Sequence, residues 1–492
     1  MSEDTRPDLR RATILGVRWM SSARLIAEIA ALASMIVLAR LIPPSEFGRA
    51  AVALIIAGVA VVLGPRGLTA TLVQRPTLER HHSESAAFLC IASGVVLTAV
   101  TLLFARSAAE SWFGDRTAEL IALASPVWLL AGLGGVPQAL LERELRFGRI
   151  ALIESLPLVL AAGAAVGCAA AGLDGESLVV GALVLRGVST AVALVLVPLV
   201  LPRPSKAGVA DVAGFATPVT LSSMVYIGFR HVDYAILGAR MPAADVGFYW
   251  RAYQLGVEYQ GKISQIMVRV SFPVYSRADD IDELKRLRLR IVSTHATVIV
   301  PLLAVFIAVA PTLIPWLFGS AWEPAVVPAQ IMAVAGMADA VMTGVGPLFV
   351  ALGRPGLLLA WNIVELAVYA AMIALLAQYG LTWVSIGVAV YYVVSVFVIQ
   401  TALMPRVIGL GLADFWRDVR AGVVTSAVVL PVLVAGRVLL EDLGAPTLLT
   451  LGVLALGGTA VYAASLRLLF RDNWADLVSI ARRVGGRPAA RV

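Results

Sequence analysis

Charge is scarce in this chain. Only 14% of its 492 residues are Asp, Glu, Lys or Arg, while 59% are hydrophobic. A soluble domain carries about a quarter charged residues. With a mean hydropathy of +0.87, the apolar excess is too large for one buried core, and lipid is the solvent it implies. Cysteine is scarcer still. Cys90 and Cys168 are the only two, each inside an apolar run and neither in a CxxC or metal-ligand spacing. They read as small packing residues. Four histidines complete a poor inventory for metal or nucleophile chemistry, so no cofactor, metal or catalytic residue is expected and the chain does not read as an enzyme. A cleavage site is missing too. The apolar run after Arg6, Arg10 and Arg11 is long and holds Arg18, Arg24 and Glu28. It reads as a retained first membrane helix rather than a signal peptide. Nor is there a loop long enough to fold as a separate domain.

What the chain has is a succession of apolar segments. About 20 apolar residues span the hydrocarbon core as a helix, and by that measure about fourteen spans are predicted. The first six are 16–38, 48–66, 84–105, 118–140, 150–171 and 178–200. The next six are 214–238, 248–272, 291–314, 325–350, 357–378 and 383–404, and the last two are 421–439 and 447–469. The first, seventh and eighth carry charges and are the weakest by hydropathy. The net charge of +7 would suggest nucleic acid in a soluble protein. Here, loop arginines that set membrane orientation explain it more simply, and no nucleic-acid partner is expected. With the N-terminus inside, most of the 39 Lys and Arg fall on inside segments, among them Arg75, Arg80, Arg143, Arg149, Arg203, Arg277, Arg354 and Arg406. The outside loops and their edges keep Arg40, Arg49, Arg106, Arg116, Arg240 and Arg437. The asymmetry does not invert along the chain, which predicts an even count and two cytoplasmic termini.

The longest inside loop, 273–290, runs from Asp279, Asp280, Asp282 and Glu283 to Lys285, Arg286, Arg288 and Arg290. Acid first and base last suits the dipole of a short, solvated surface helix. Near the C-terminus, Trp474, Leu477, Val478 and Ala481 stand at i, i+3, i+4, i+7. That predicts an interfacial amphipathic helix with its arginines toward lipid headgroups. Residues 485–492 are expected to be disordered.

Two echoes divide the chain. Residues 39–48, from Ala39-Arg40 through Pro44 and Glu46 to Gly48, recur with one gap as 239–247, from Ala239-Arg240 through Pro242 and Asp245 to Gly247. Trp112-Phe113-Gly114 before the fourth span is echoed by Leu317-Phe318-Gly319 before the tenth. Both pairs match in order and membrane side. They predict two homologous six-helix lobes, 1–200 and 213–404, joined by a cytoplasmic linker at 201–212. The repeats are parallel about an axis along the membrane normal, an arrangement common in transporters that rock two halves. Residues 405–470 add two helices, and 471–492 form the cytoplasmic tail.

The segment "GVRWMSSARLIAEIAALASMIVLARLIPPSEFGRAAVAL" resembles the start of bacterial polysaccharide transporters. "GLTATLVQRPTLERHHSESAAFLC" resembles their basic first inside loop, and "GFYWRAYQL" and "VSFPVYSR" resemble the region around their eighth helix. The resemblance covers about 14–470. It points to the Wzx-type oligosaccharide flippases of the multidrug/oligosaccharidyl-lipid/polysaccharide (MOP) superfamily. It implies an all-α integral membrane fold with two six-helix lobes, pseudo-twofold and V-shaped around a central cavity, plus two C-terminal helices. It also implies an activity. Undecaprenyl-pyrophosphate-linked oligosaccharide passes from the inner to the outer leaflet of the bacterial cytoplasmic (inner) membrane for lipopolysaccharide or exopolysaccharide assembly. Polysaccharide polymerase and chain-length machinery are the protein partners that role would bring. A drug exporter or a lipid II flippase of the same superfamily is an alternative within transport, although fourteen spans argue against the twelve-helix exporters. A membrane polysaccharide polymerase or ligase is an alternative of another class, disfavoured by short outer loops without histidine. A structural membrane protein is a third.

Charge at bilayer depth costs about 2.5–3.5 kcal/mol on insertion scales and needs a partner or a wet cavity. The first span carries Arg18, Arg24 and Glu28, with Arg24 and Glu28 on one helix face. The seventh carries Arg230, His231 and Asp233, and the eighth Arg251, Glu258, Lys262 and Arg269. Glu154, Arg186, Asp339 and Glu365 lie in other spans. The resemblance implies that the first helix of each lobe lines the cavity. Arg24, Arg230, Lys262 and Arg251 are therefore candidate substrate-binding residues, since guanidinium groups can replace the hydration of a pyrophosphate. Glu28, Asp233, Glu258 and His231 are candidate charge partners or coupling groups. The competing reading makes all of these ion pairs that staple helices, with Arg251 and Arg269 simply snorkelling from the ends of their span. No ion-binding motif decides between H+, Na+ and membrane potential as the energy source.

Overall fold

The computed structural model describes residues 6–61, 67–75, 77–144 and 146–484. The expected disorder of 485–492 lies outside the described residues. Within them the chain is helix and turn, with no strand. Lipid offers no hydrogen bonds to a peptide group, so an apolar segment that crosses it must satisfy its backbone internally, and a helix does so. Among the described residues, ten helical segments are long and apolar enough to cross a membrane. Arg80–Phe113 and Asp115–Arg143 cover the third and fourth predicted spans, and Gly148–Ala170 and Gly175–Leu196 overlap the fifth and sixth, with the sixth ending at Leu196 rather than at 200. Ile281–Phe318, Ser320–Ala351, Gly356–Tyr379, Leu381–Ile408, Leu412–Asp442 and Thr447–Leu469 cover the ninth to fourteenth. The other four predicted spans also fall on helices. These are Arg6–Leu41, Pro44–Val61, Lys206–Arg240 and the run from Ala243 to Tyr275; the end of 48–66 passes beyond the described residues.

By internal contact the chain forms two compact units, Met1–Gly247 and Phe248–Val492. This is a different cut from the repeat-based division at 201–212. The first unit contains α1 (Arg6–Leu41), α2 (Pro44–Val61), α3 (Gly67–Gln74), α4 (Arg80–Phe104), α5 (Glu110–Phe113), α6 (Asp115–Ala124), α7 (Pro126–Arg143), α8 (Phe147–Ala170), α9 (Gly175–Leu196) and α10 (Lys206–Arg240). Here α1 lies along α8, α4 along α7, and α8 along α9. The α4–α7 crossing is close because Gly132 has no side chain: a Cβ there would stand 2.4 Å from the carbonyl oxygen of Cys90. Cys90 itself is fully buried, as a small packing residue should be. Helix α10 packs on α2, α3 and α4.

The repeated motif has a structural counterpart. Ile42 N donates to Leu38 O, and Met241 N to Leu237 O; Glu46 N donates to Pro43 O, and Asp245 N to Pro242 O. The two copies also meet. A Cβ on Gly48 would fall 1.8 Å from Ala243 O, and a Cβ on Gly247 would fall 2.0 Å from Pro44 O. The contact is reciprocal, main chain against main chain. The second echo is matched in backbone as well. Gly114 (φ 79, ψ 158) and Gly319 (φ 97, ψ 163) each end one helix and open the next, in a conformation open to residues without Cβ.

The second unit begins inside α11 (Ala243–Tyr253). A π-helical turn, Gln254–Glu258, leads into α12 (Tyr259–Tyr275). There follow α13 (Ile281–Phe318), α14 (Val326–Val341), α15 (Val345–Ala351), α16 (Pro355–Leu376), α17 (Leu381–Val398), α18 (Met404–Ile408), α19 (Leu412–Asp442), α20 (Thr447–Leu469) and α21 (Arg471–Val484). Helix α13 has 38 residues. At 1.5 Å per residue it is roughly 57 Å long, well beyond the ~30 Å hydrocarbon core. The acidic-then-basic stretch is thus not a separate short helix but the first turns of α13, capped where the Asp280 side chain accepts from Glu283 N. Nor is it solvated throughout. Arg288 is 1% exposed; its Nη1 lies 3.4 Å from Asp418 Oδ2 and its Nη2 donates to Gln400 Oε1 at 3.2 Å. Helix α19 packs along α13 and buries this guanidinium.

Helix α21 is amphipathic as predicted, but it is also docked. Asn473 Nδ2 donates to Ser293 Oγ at 3.0 Å, and Asp476 Oδ1 lies 3.8 Å from Arg290 Nη2.

Candidate functional site

In the first unit, α1 and α8 carry a group of three charges. Arg24 Nη1 donates to Glu154 Oε2 at 2.6 Å, and Arg24 Nη2 lies 3.4 Å from Glu28 Oε1. The Arg24–Glu28 pair follows from the i, i+4 spacing. Glu154 was visible in the sequence only as an intramembrane charge, because pairing across 130 residues leaves no local signal. The side chains of Arg24, Glu28 and Glu154 are 50%, 32% and 45% exposed. Charges in membrane segments face a partner or a wet cavity, and these three face one another.

The three candidates on α10 differ in exposure. Asp233 is fully buried, and its Oδ1 accepts from Tyr234 N at 2.9 Å. It remains the candidate charge partner the sequence suggested. Arg230 and His231 are half-buried, with the His231 ring 6.4 Å from that of Tyr234. The start of α10 is held by another polar group. Asp211 Oδ2 lies 3.5 Å from Arg75 Nη2 and 3.4 Å from His82 Nε2, and Arg143 Nη1 donates to the carbonyls of Leu72 and Arg75. His81, His82 and Asp211 bring ligand atoms within 4.8 Å of one another, so they are the residues that could hold a metal. The fit is poor. Glu79 N donates to His82 Nδ1 at 3.2 Å, and the Arg75 guanidinium contacts His82 Nε2, so both ring nitrogens are already engaged. The Arg75 guanidinium already supplies the cation there. The group reads as a tie between α10 and the ends of α3 and α4.

In the second unit, Arg251 is 3% exposed. Its guanidinium carbon sits 4.8 Å from the ring centroid of Phe318 and 5.1 Å from that of Trp322, and Nη1 donates to Gln254 Oε1 at 2.7 Å. So buried, the guanidinium is held by packing rather than snorkelling from the end of its span. A flat, weakly hydrated guanidinium stacks between rings more favourably than it reaches for solvent. Lys262 is exposed, with Nζ 5.1 Å from the Tyr259 ring. Glu258 is half-buried at the end of the π-helical turn, a feature often found at functional sites. The side chains of Arg18 and Arg269 lie outside the described ones. The sequence reading missed a buried polar chain across α12, α13 and α14. Gln260 Nε2 donates to Asp339 Oδ2 at 2.7 Å, Ser264 Oγ donates to Gln260 Oε1 at 2.8 Å, and Ser264 Oγ stands 2.8 Å from His295 Nε2. Its available signal was Gln260 and Ser264 at i, i+4 in a membrane segment.

The family model described as "Polysaccharide biosynthesis protein" matches residues 37–327. Two curated relatives align over most of their length. The lipopolysaccharide biosynthesis protein WzxC of Escherichia coli is 24% identical over 82% of this chain and 82% of its own. The teichuronic acid biosynthesis protein TuaB of Bacillus subtilis is 24% identical over 84% of this chain and 86% of its own. Among solved structures, the lipid II flippase MurJ in an inward closed conformation superposes with a TM-score of 0.72 at 11% identity, over 92% of this chain and 99% of that one. An inward-facing multidrug resistance MATE transporter of the MOP superfamily gives 0.61 at 16% identity, over 81% and 95%. At those identities the likeness is one of fold alone.

Proposed function

The chain belongs to the polysaccharide biosynthesis protein family, and on that footing we propose that it is a flippase for undecaprenyl-pyrophosphate-linked oligosaccharide repeat units. It moves them from the inner to the outer leaflet of the bacterial cytoplasmic membrane by alternating access of a central cationic cavity. The lobes are 1–200 and 213–404, the crossings number fourteen, and both termini are cytoplasmic. The product feeds lipopolysaccharide or exopolysaccharide assembly, where a polymerase and chain-length machinery take it up. No step needs a bound cofactor; a coupling H+ or Na+ is the one ion the cycle would use.

The observation that carries this reading is the open Arg24 group. A guanidinium whose side chain is half exposed, on a helix predicted to cross the membrane, can replace part of the hydration shell of a diphosphate. Arg230, half-buried on α10, and the exposed Lys262 are the further cations proposed to contact substrate.

The test is transport by the full chain in proteoliposomes. The substrate is an undecaprenyl-diphosphate oligosaccharide labelled in the leaflet that faces the termini, with lipid II as comparison. Protein-dependent appearance in the opposite leaflet is expected, reduced by Arg24→Ala and less reduced by Arg24→Lys, which keeps charge but loses the bidentate fork. Movement of lipid II alone would replace this reading by the peptidoglycan-precursor one. Collapsing the H+ and Na+ gradients separately reads out the coupling.

A further inference from the structure

Both terminal nitrogens of Arg24 already face carboxylates, Nη1 toward Glu154 and Nη2 toward Glu28. We propose that Glu154 is a positioning residue that occupies, in the empty state, the place on Arg24 that the substrate's diphosphate takes. Binding and release are then an exchange of one anion for another. The proposal rests on the flippase reading above and adds how the site is emptied.

A diphosphate is held best when it accepts two parallel N–H bonds from one guanidinium. With Glu154 at 2.6 Å and Glu28 at 3.4 Å, that fork is taken. Glu28 lies one turn along the same helix and travels with Arg24, so it cannot be left behind. Glu154 belongs to α8, lies 130 residues away and is 45% exposed; it can swing off without breaking a helix. Charge points the same way. One guanidinium against two carboxylates leaves the group net negative, and an incoming diphosphate is repelled until one carboxylate withdraws. Glu154 therefore weakens substrate binding and speeds release, because its return to Arg24 displaces the product.

The probe is inorganic pyrophosphate, titrated calorimetrically into the full chain in nanodiscs, alongside flipping kinetics in proteoliposomes. Glu154→Gln is expected to bind pyrophosphate about tenfold more tightly, since a like charge a few ångströms from the anion is removed. It should flip with a lower KM and a lower kcat. Glu154→Asp, with a shorter arm, should fall between wild type and Gln. If Glu154 only staples α8 to α1, Glu154→Gln will bind pyrophosphate equally or less well and lose melting temperature, and the exchange is refuted. Should Glu154→Gln fail to accumulate, Glu154→Asp decides alone: tighter binding than wild type supports the exchange, and equal or weaker binding overturns it. Arg24→Ala separates the two levels. If it leaves pyrophosphate binding unchanged, the cationic-cavity reading fails and the exchange with it. If it weakens binding while Glu154→Gln does not strengthen it, only the exchange fails.

Discussion

Two arginines read alike in the sequence, as charges in apolar segments, and they end in opposite circumstances. Arg24 is half exposed between two carboxylates. Arg251 is enclosed by Phe318 and Trp322. A desolvated cation–π contact contributes about 2 kcal/mol, so Arg251→Ala should lower the melting temperature of the purified protein. Pyrophosphate binding per folded molecule should stay at the wild-type level; a selective loss of binding at unchanged stability would return Arg251 to the substrate site. Arg288 and Asp418 make a second residue-scale case. Both are at least 97% buried, and removing one partner strands a charge at a cost of about 3–5 kcal/mol, whereas an apolar replacement of both is close to neutral. Asp418→Leu alone should therefore aggregate on heating well below wild type, and Arg288→Met with Asp418→Leu should recover most of that loss. No recovery in the double variant would mean that the pair does more than neutralise itself.

At the scale of elements, the first turns of α2 and α11 are joined by the absence of side chains. Gly48 and Gly247 each leave no room for a Cβ against the other's helix. Alanine at either position has to force main chain from main chain, an overpacking that costs about 1–3 kcal/mol. Gly58, also in α2, has nothing within 4 Å of a built Cβ. There alanine should be neutral or stabilising by up to ~1 kcal/mol, because it suits the helix better than glycine. Thermal stability in detergent compares the three variants directly. Equal effects at Gly48 and Gly58 would show that the close crossing is relaxed in solution. The same scale explains α21. Its amphipathic pattern predicted a helix lying on lipid, and Asn473 and Asp476 also tie it to α13. An amphipathic pattern thus marks a helix that packs on its neighbour through its polar residues.

For the molecule as a whole, the decisive property is orientation. Arginine-rich loops stay on the cytoplasmic side because translocating them is costly. Reporter fusions at Arg203 and Arg354 should read inside, and fusions at Asp115 and Asp174 outside. An outside reading at Arg203 would break the alternation on which the proposed lobes depend. The helix that follows this linker, α10, packs on α2, α3 and α4 and is tied at its start through Asp211 to Arg75 and His82.

The sequence by itself determined the solvent, the class of fold and most of the spans, because hydropathy over 20 residues and loop charge are local, additive quantities. It also marked the glycines at 48, 114, 247 and 319 through the two repeated motifs; why each must be glycine, a positive φ at 114 and 319 and a close helix approach at 48 and 247, came from the structure. It placed Arg24 and Glu28 together, since one helical turn fixes that neighbourhood. Tertiary structure alone decided that Glu154 reaches Arg24, that Arg288 is buried on Asp418 and that Arg251 is sealed by aromatic rings. In each case the partner is a helix distant in the chain. Whether a charge at membrane depth is open to a ligand or locked in packing depends on which face the neighbouring helix covers, and no local pattern encodes that.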